Sequence, residues 1–224
     1  MYREQTRYGH DPTVITRTAP ATFNAPLKWQ GPAKVFTCSW SDFFIEQADE
    51  WRDEAWDIIR RTPHLTYQIL TKRPENIVAR LPRNWNEGWN NVWLGVSIEN
   101  AGSRWKTYAL AEIPSIVRFI SYEPALTFVD FSVVLETGAY HWLISGGESG
   151  PNARQSNPEW FAGVRDQCAK FGVAYFHKQN GGSMKINGSY GGHALMGEVH
   201  RQFPDRTQQR HAVDLPSAPL RANH

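Results

Sequence analysis

The sequence has little of what secreted, membrane-spanning or disulfide-stabilised proteins require. Its 224 residues include only two cysteines, Cys38 and Cys168, which excludes a framework of several disulfides and favours a reducing compartment. No run of eighteen apolar residues occurs, and the amino terminus has no basic stretch followed by an apolar one. The sequence therefore predicts neither a membrane span nor a signal peptide, and we expect a cytoplasmic protein.

The sequence also lacks a large excess of positive or negative charge and the residue spacings that are typical of metal sites. The formal net charge at pH 7 is +2, which is too small to indicate nucleic-acid binding without local clusters. The histidines His177, His193 and His200 lie on separate segments, and neither an HExxH motif nor a closely spaced cysteine pair is present. Because familiar metal sites depend on such spacings, the sequence predicts no bound metal.

Apolar residues, in contrast, make up 41% of the chain, and they are organised in six short β-prone runs. The runs occupy residues 33–39, 65–70, 92–96, 116–120, 141–144 and 173–176. The intervals leave room for a helix between successive strands, as in parallel sheets with crossover helices. The predicted fold class is α/β, a partial (β/α) TIM-type barrel of six or seven parallel strands within residues 33–180.

Apolar periodicity and capping residues predict the helices between these strands. They cover residues 51–62, 74–82, 100–112 and 158–171. The last is the clearest, because Asn157 is a favoured N-cap and Gly172 a favoured residue just past a helix end. The helix over 100–112 rests mainly on the spacing between strands.

Both ends of the chain lack this alternation. Residues 1–32 are predicted to form an irregular amino-terminal segment, in which only 13–16 are β-prone. Residues 181–204 are predicted to form a Gly-rich extension that includes a small hairpin. Residues 205–224 have no apolar periodicity, and we expect a disordered tail.

Each predicted strand ends at a cluster of polar or charged residues. In parallel α/β folds, ligands bind beyond the carboxyl ends of the strands, so these clusters form the candidate site. The candidate catalytic residues are Glu123 and Lys178. The candidate ligand-binding residues are Asp42, Lys72, Arg73, Glu99, Gly146, Gly147 and Glu148.

Lys72 and Arg73 directly precede the predicted helix at Pro74. Two cations beside a helix amino terminus would suit a phosphate or carboxylate group, and the alternative is a solvated pair of loop residues. Asp42 belongs either to the same site or to a cap of the turn after the first strand.

Glu123 and Lys178 each have two interpretations. A carboxylate at the end of a buried strand can act as a general acid or base, but Glu123 could equally pair with Arg118 or Lys72. Lys178 could form an ion pair with a carboxylate or, if desolvated, act as a Schiff-base nucleophile.

Residues 145–150, Ser-Gly-Gly-Glu-Ser-Gly, form the most distinctive run. Two glycines after a strand let backbone N–H groups approach and hold an anion, and Glu148 adds a carboxylate. The alternative is a tight turn. The run matches neither the GxGxxG nor the P-loop pattern.

Six segments in this order resemble the phage protein family named after gene products 37 and 68. They are residues 36–44, 67–74, 91–100, 118–124, 142–150 and 176–179. The function of that family is not established, and the family resembles radical S-adenosylmethionine enzymes. The resemblance implies a barrel of that type, S-adenosylmethionine as a cofactor, and a nucleotide or nucleic acid as the substrate.

The same resemblance implies a feature that this sequence lacks. Relatives carry three closely spaced cysteines suited to a [4Fe–4S] cluster, and often a cysteine at the position of Tyr122. Met1 falls just downstream of where the three-cysteine stretch would lie, and two cysteines cannot replace it. We therefore expect no iron–sulfur cluster in this chain.

Three hypotheses follow. The first is a radical-S-adenosylmethionine-like barrel that acts on a nucleotide or nucleic acid and lacks its cluster region. The second is a metal-free lyase or transferase that uses Lys178 and Glu123 on a small anionic metabolite. The third is a phage accessory protein that binds nucleic acid, with tryptophans such as Trp85, Trp89 and Trp93 as stacking surfaces. If a preceding βα unit is missing, the first strand is an open sheet edge and we expect self-association.

Overall fold

The computed structural model describes residues 14–38 and 41–205. Its central feature is a curled, parallel, six-stranded half-barrel in which the strands are neighbours in chain order. The strands are β1 Ala33–Thr37, β2 Leu65–Thr71, β3 Val92–Ser97, β4 Val117–Tyr122, β5 Trp142–Gly146 and β6 Ala174–Gln179. The predicted fold class and all six predicted strands are confirmed, because each run of β-branched and aromatic residues enters the sheet.

Helices occupy most of the connections. They are α1 Pro20–Phe23, α2 Asp49–Arg61, α3 Trp105–Ala111, α4 Ser132–Glu136 and α5 Pro158–Lys170. The predicted helices over 51–62 and 158–171 are confirmed, and the Asn157 side chain accepts a hydrogen bond from the N–H of Glu159 at 2.9 Å. The helix predicted over 100–112 is shorter and follows a 3₁₀ turn at Ala101–Ser103.

The helix predicted over residues 74–82 is wrong. This segment forms two separate 3₁₀ turns, Pro74–Asn76 and Val78–Arg80. Pro82 disfavours helical backbone in the residue before it, and Leu81 is extended there. The hydrogen bonds before it join residues three positions apart, as in 3₁₀ turns. Val78 in the second turn is 69% exposed.

The sheet has two faces of different character. Helices α2, α3 and α5 cover its convex face and bury the larger core, with side chains such as Ile59, Leu94 and Phe161. The concave face carries a smaller cluster of buried residues, Trp93, Val117, Phe119, Trp142 and Ile144. Successive residues of a strand point to opposite faces, so every strand contributes to both sides.

The amino-terminal residues 14–32 pack on the helical side of the sheet. Arg17 forms an ion pair with Glu54 of α2 at 2.6 Å, and the Trp29 carbonyl lies 3.0 Å from Nε2 of His64. Within the described part of the chain, β1 pairs with β2 alone. The self-association expected through an open edge of this strand stays a prediction.

The carboxyl-terminal extension forms two small hairpins and then covers the β6 edge. The hairpins pair β7 Lys185–Ile186 with β8 Ser189–Tyr190 and β9 Ala194–Leu195 with β10 Glu198–Val199. The first is the predicted hairpin, and its turn residues Asn187 and Gly188 both have positive φ, as a type I′ turn requires.

Beyond the hairpins, Phe176 of β6 forms an antiparallel bridge with Arg201. Phe203 then reaches the concave face, where its ring centroid lies 5.1 Å from that of Trp142. The tail predicted to be disordered lies outside the described residues except for Asp205. None of the helices in the described ranges is both long and apolar enough to cross a bilayer.

Candidate functional site

The charged residues predicted for the site lie along the carboxyl ends of the strands, an edge that we call the rim. The pairing of β2 with β3 places Thr71 beside Val96, and that of β3 with β4 places Ser97 beside Ser121. The rim residues that follow these strands are therefore side by side. They are Asp42, Lys72, Arg73, Glu99, Glu123, Glu148 and Lys178.

Asp42 ties the end of β1 to the end of β2. Its carboxylate is 6% exposed and accepts hydrogen bonds from the Phe44 N–H at 3.0 Å and the Thr71 hydroxyl at 2.7 Å. Its second oxygen accepts from the Lys72 N–H at 2.9 Å and from the Arg73 guanidinium at 3.2 Å. Four protein donors surround this carboxylate, so Asp42 orients the two cations, and its bond to Phe44 is a turn cap.

These contacts change the basis for anion binding by Lys72 and Arg73. No α-helix follows Pro74, and the N–H groups of Lys72 and Arg73 already donate to Asp42 and to the Thr71 hydroxyl. The argument from a helix amino terminus is therefore wrong. Any attraction for an anion comes from the two side-chain charges.

Glu99 lies between two ammonium groups. It forms an ion pair with Lys72 and a longer contact of 3.7 Å with Lys106 of α3. Lys106 also donates to the Ser97 carbonyl at 3.4 Å, and burial lowers its pKa. The Lys106 side chain is 13% exposed but that of Lys72 is 48% exposed, so Lys72 presents the charge of this group to the solvent.

Glu123 and Lys178 form an ion pair across β5. The Lys178 ammonium lies 2.8 Å from the Glu123 carboxylate, although their strands, β4 and β6, are not neighbours. Gly146 of β5 lies between them, and a Cβ at this position would lie 3.2 Å from Cδ of Glu123. The absence of a side chain at Gly146 therefore makes room for the pair.

This geometry supports the ion-pair interpretation of Lys178. The Lys178 ammonium already contacts the Glu123 carboxylate at 2.8 Å, whereas a Schiff-base nucleophile must be free to attack a carbonyl group. Arg118, the other partner considered for Glu123, donates instead to the carbonyls of Ile113 and Ala139.

Gly147 and Glu148 are engaged by neighbouring loops. The Gly147 N–H donates to the Gln179 carbonyl at 3.0 Å, and a Cβ on Gly147 would come 2.1 Å from the Asn180 carbonyl oxygen. Glu148 forms a bidentate ion pair with Arg154 at 2.8 and 2.9 Å. Close packing thus explains Gly147 without a ligand, and a ligand-binding role for these residues stays a prediction.

His177, next to Lys178, points to the convex side and is fully buried. The Asn180 side-chain nitrogen donates to two carbonyls, so its oxygen accepts from Nε2 of His177 at 3.1 Å. Nδ1 of His177 then accepts from the Ser145 hydroxyl at 2.9 Å. Burial lowers the pKa of His177 to about 4, so the ring is neutral at pH 7.

The tryptophans considered for base stacking contribute to the cores. Trp85 and Trp93 are 5% and 4% exposed. Trp89 packs against Trp85 with ring centroids 6.0 Å apart. Tyr122 is also buried on the convex side, with its ring against Phe131 at 5.6 Å, and so lies away from the rim.

Sequence reasoning missed two cations near the rim, Lys106 and Arg154. Lys106 lies in a helix with few periodic residues, and nothing in its neighbourhood distinguishes it from a solvated lysine. Arg154 follows Glu148 by six residues in a Gly- and Pro-rich loop, and this short separation was a usable signal.

Comparison with known proteins gives a family match but no function. Residues 2–204 match the model of a family described as "Protein of unknown function (DUF5131)". No curated protein and no solved structure matches the chain. The matched segment contains all six strands and every rim residue.

Proposed function

Because the chain belongs to this family of unknown function, we propose a function from the site itself: the rim binds an anionic small molecule, such as a nucleotide or another metabolite with a phosphate or carboxylate group. The proposal rests on one observation: the negative charges of the rim are largely buried, whereas most of its positive charges are exposed to the solvent. The carboxylates of Asp42, Glu99 and Glu123 are 6%, 16% and 20% exposed, whereas the paired cations Lys72, Arg73 and Lys178 are about half exposed. Lys106, the second partner of Glu99, is 13% exposed.

This arrangement fixes three cations, Lys72, Arg73 and Lys178, with their charged ends towards the solvent. Exposed ion pairs contribute little to stability, at most about 1 kcal/mol each, so stability alone gives little reason for three of them on one edge. Charge-assisted hydrogen bonds from pre-oriented cations are, in contrast, the usual means of holding a phosphate or carboxylate. The site therefore has the chemistry of an anion receptor.

The test is a double substitution, Lys72→Ala with Arg73→Ala, assayed by calorimetry with inorganic phosphate, a dicarboxylate and a mononucleotide. Since hydrogen bonds to charged groups contribute about 1.5–3 kcal/mol each, we expect binding to weaken at least tenfold without loss of the fold. Arg60→Ala is the matched control, because Arg60 is an exposed, ion-paired cation of α2. Unchanged affinity in the double variant would contradict the proposal.

A radical S-adenosylmethionine reaction is the second candidate, and it is supported by the resemblance of the six motifs and by the partial barrel. The phage association rests on the same resemblance. The cysteines of this chain do not fit the required cluster: Cys38 follows β1, and Cys168 lies buried in α5, where burial raises its pKa to about 12. In the described ranges, no three His, Cys, Asp or Glu side chains are grouped as metal ligands.

Anaerobic reconstitution with iron and sulfide tests this candidate. Because a cluster of this type needs three thiolates, we expect the purified chain to bind no stoichiometric iron. A brown protein with about four irons per chain, as a [4Fe–4S] cluster requires, would contradict this expectation. Cys38→Ser with Cys168→Ser would then show whether the native cysteines hold that iron.

A further inference from the structure

Two polar side chains on the concave face, Gln68 and Ser121, are largely buried, but their polar groups reach the solvent and have no hydrogen-bond partner in the described part of the chain. Gln68 is 7% exposed and Ser121 is 5% exposed. Neither the Gln68 amide nor the Ser121 hydroxyl bonds to any group in the described part of the chain. By comparison, Gln179 is equally buried and donates to the Gly147 carbonyl at 3.3 Å.

Strand alternation places both side chains on the concave face. Tyr67 and Ile69, which flank Gln68, belong to the convex core, as do Ile120 and Tyr122, which flank Ser121. Because neighbours in a strand point to opposite faces, Gln68 and Ser121 point into the half-barrel.

Neither group is fully enclosed: in the described part of the chain, the enclosed side-chain atoms without a partner are Arg17 Nε and His200 Nε2. A donor or acceptor that keeps contact with the solvent and has no protein partner is free to bond to a ligand. Gln68 offers one acceptor and two N–H donors, and Ser121 offers a hydroxyl that can donate and accept. The concave face therefore offers neutral hydrogen-bonding groups in addition to the charges at the rim.

An exposed aromatic ring accompanies Gln68. Phe36 of β1 is the direct neighbour of Gln68 across the β1–β2 pairing, and its side chain is 47% exposed. Val35 packs against the convex core, so Phe36 shares the concave face with Gln68. An aromatic surface beside an amide with a free donor and acceptor is the usual combination for stacking on a nucleobase and bonding to its edge.

The distance from this pair to the rim suits one nucleotide. Lys72 follows Gln68 by four residues along β2 and its end, which corresponds to about 13 Å at the rise of a strand. This is comparable to the reach from the edge of a base to the phosphate of a mononucleotide. Ser121 lies at the carboxyl end of β4, beside Ser97 of β3. It is therefore close to the rim, between the rim charges and the residues Phe36 and Gln68.

We infer that the anionic ligand is a mononucleotide whose base stacks on Phe36 and bonds to the Gln68 amide, while Ser121 bonds to a ribose hydroxyl and the phosphate lies at Lys72 and Arg73. This inference rests on the proposed function, because it uses the rim as the phosphate site. It adds the class of ligand and three specificity-determining residues.

The test compares AMP, GMP, CMP and UMP with ribose 5-phosphate, which lacks the base, by calorimetry on the full chain. We expect at least one mononucleotide to bind more tightly than ribose 5-phosphate. Gln68→Leu should remove that excess, a loss of roughly 5- to 100-fold for a bidentate base contact. Ser121→Ala should weaken ribose 5-phosphate itself by roughly 2- to 10-fold, as one neutral hydrogen bond would.

Thermal melts of the same variants separate binding from packing. Gln68→Leu removes an unbonded amide, so we expect its melting temperature to be unchanged or higher. Gln179→Leu is the matched control, because it breaks an existing bond and should lower the melting temperature.

The outcomes are distinguishable. Equal affinity for mononucleotides and ribose 5-phosphate, or full affinity in Gln68→Leu, overturns this inference and leaves the proposed anion site standing. If neither phosphate, ribose 5-phosphate nor any mononucleotide binds, both are overturned.

Discussion

The two faces of the sheet differ in how their polar side chains meet the solvent. On the convex face, the Tyr175 hydroxyl lies 2.6 Å from that of Ser145, which bonds in turn to His177. On the concave face, Gln68 and Ser121 have no partner among the described residues, and their polar groups reach the solvent. We therefore treat the convex side as the scaffold and the concave side as the recognition surface.

Truncating one aromatic ring on each face tests this comparison with the largest expected change in stability. Phe161 is fully buried on the convex side, where its ring packs 4.8 Å from that of His177. We expect Phe161→Ala to lower the free energy of unfolding by about 3–5 kcal/mol. Phe203→Ala is the matched variant on the concave side, and since Phe203 is 44% exposed, we expect about 1–2 kcal/mol.

Urea denaturation of both variants at pH 7 measures the difference. Equal losses of stability would show that the carboxyl-terminal segment is as essential to the fold as the convex core. The distinction between scaffold and recognition surface would then have to be abandoned.

The pH dependence of stability tests the bonded network on the convex face. The folded-state pKa of His177 is about 4, below its ordinary 6.5, so the unfolded chain binds the extra proton first as pH falls. The stability contributed by neutral His177 is present above pH 6.5 and is lost as pH falls towards 4. The loss should reach about 3 kcal/mol.

In urea denaturation between pH 7 and pH 4, this loss would appear as a slope of the free energy of unfolding against pH. His177→Gln should reduce the slope, because glutamine does not titrate. His64→Gln is the control, since His64 is exposed and lies outside the bonded network of the convex face. The same slope in His177→Gln as in the wild type would show that His177 does not cause this pH dependence.

The smallest expected effects concern the two glycines at the end of β5. In Gly147→Ala the new methyl group would meet the Asn180 backbone, which cannot move without disturbing its loop, so we expect a loss of about 1–3 kcal/mol. In Gly146→Ala the methyl group would meet the Glu123 side chain, which can shift. We expect this variant to keep its stability within about 1 kcal/mol but to bind phosphate less well, because the Glu123–Lys178 pair is displaced.

Thermal melts and phosphate titrations of the two variants decide the question. If Gly147→Ala is as stable as the wild type and loses only ligand affinity, Gly147 serves the ligand and not the packing. That result would restore the interpretation of both glycines as an anion cradle.

Much of the fold could be predicted because its signals are local. The β-prone runs, the Asn157 cap and the Asn187-Gly188 turn each depend on a few consecutive residues. The helix predicted over 74–82 was wrong although its apolar spacing was helical, because the segment closes hydrogen bonds three residues apart and ends in the extended residue before Pro82.

The site was predictable only as a set of candidates. The carboxyl ends of parallel strands lie along one edge by topology, so Asp42, Glu99 and Lys178 could be assigned to it from strand ends alone. Their roles depend on partners that the chain order does not reveal, such as Lys106 beside Glu99.

The sequence by itself determined that the chain forms a parallel half-barrel with charged residues along one edge, because alternating patterns and strand ends are properties of neighbouring residues. Only the tertiary structure decided that Glu123 reaches Lys178 over Gly146, that Asp42 orients Lys72 and Arg73, and that Gln68 and Ser121 stay unbonded. These are contacts, or missing contacts, between residues far apart in the chain. They arise from the curvature of the sheet and the packing of its loops, which no local pattern encodes.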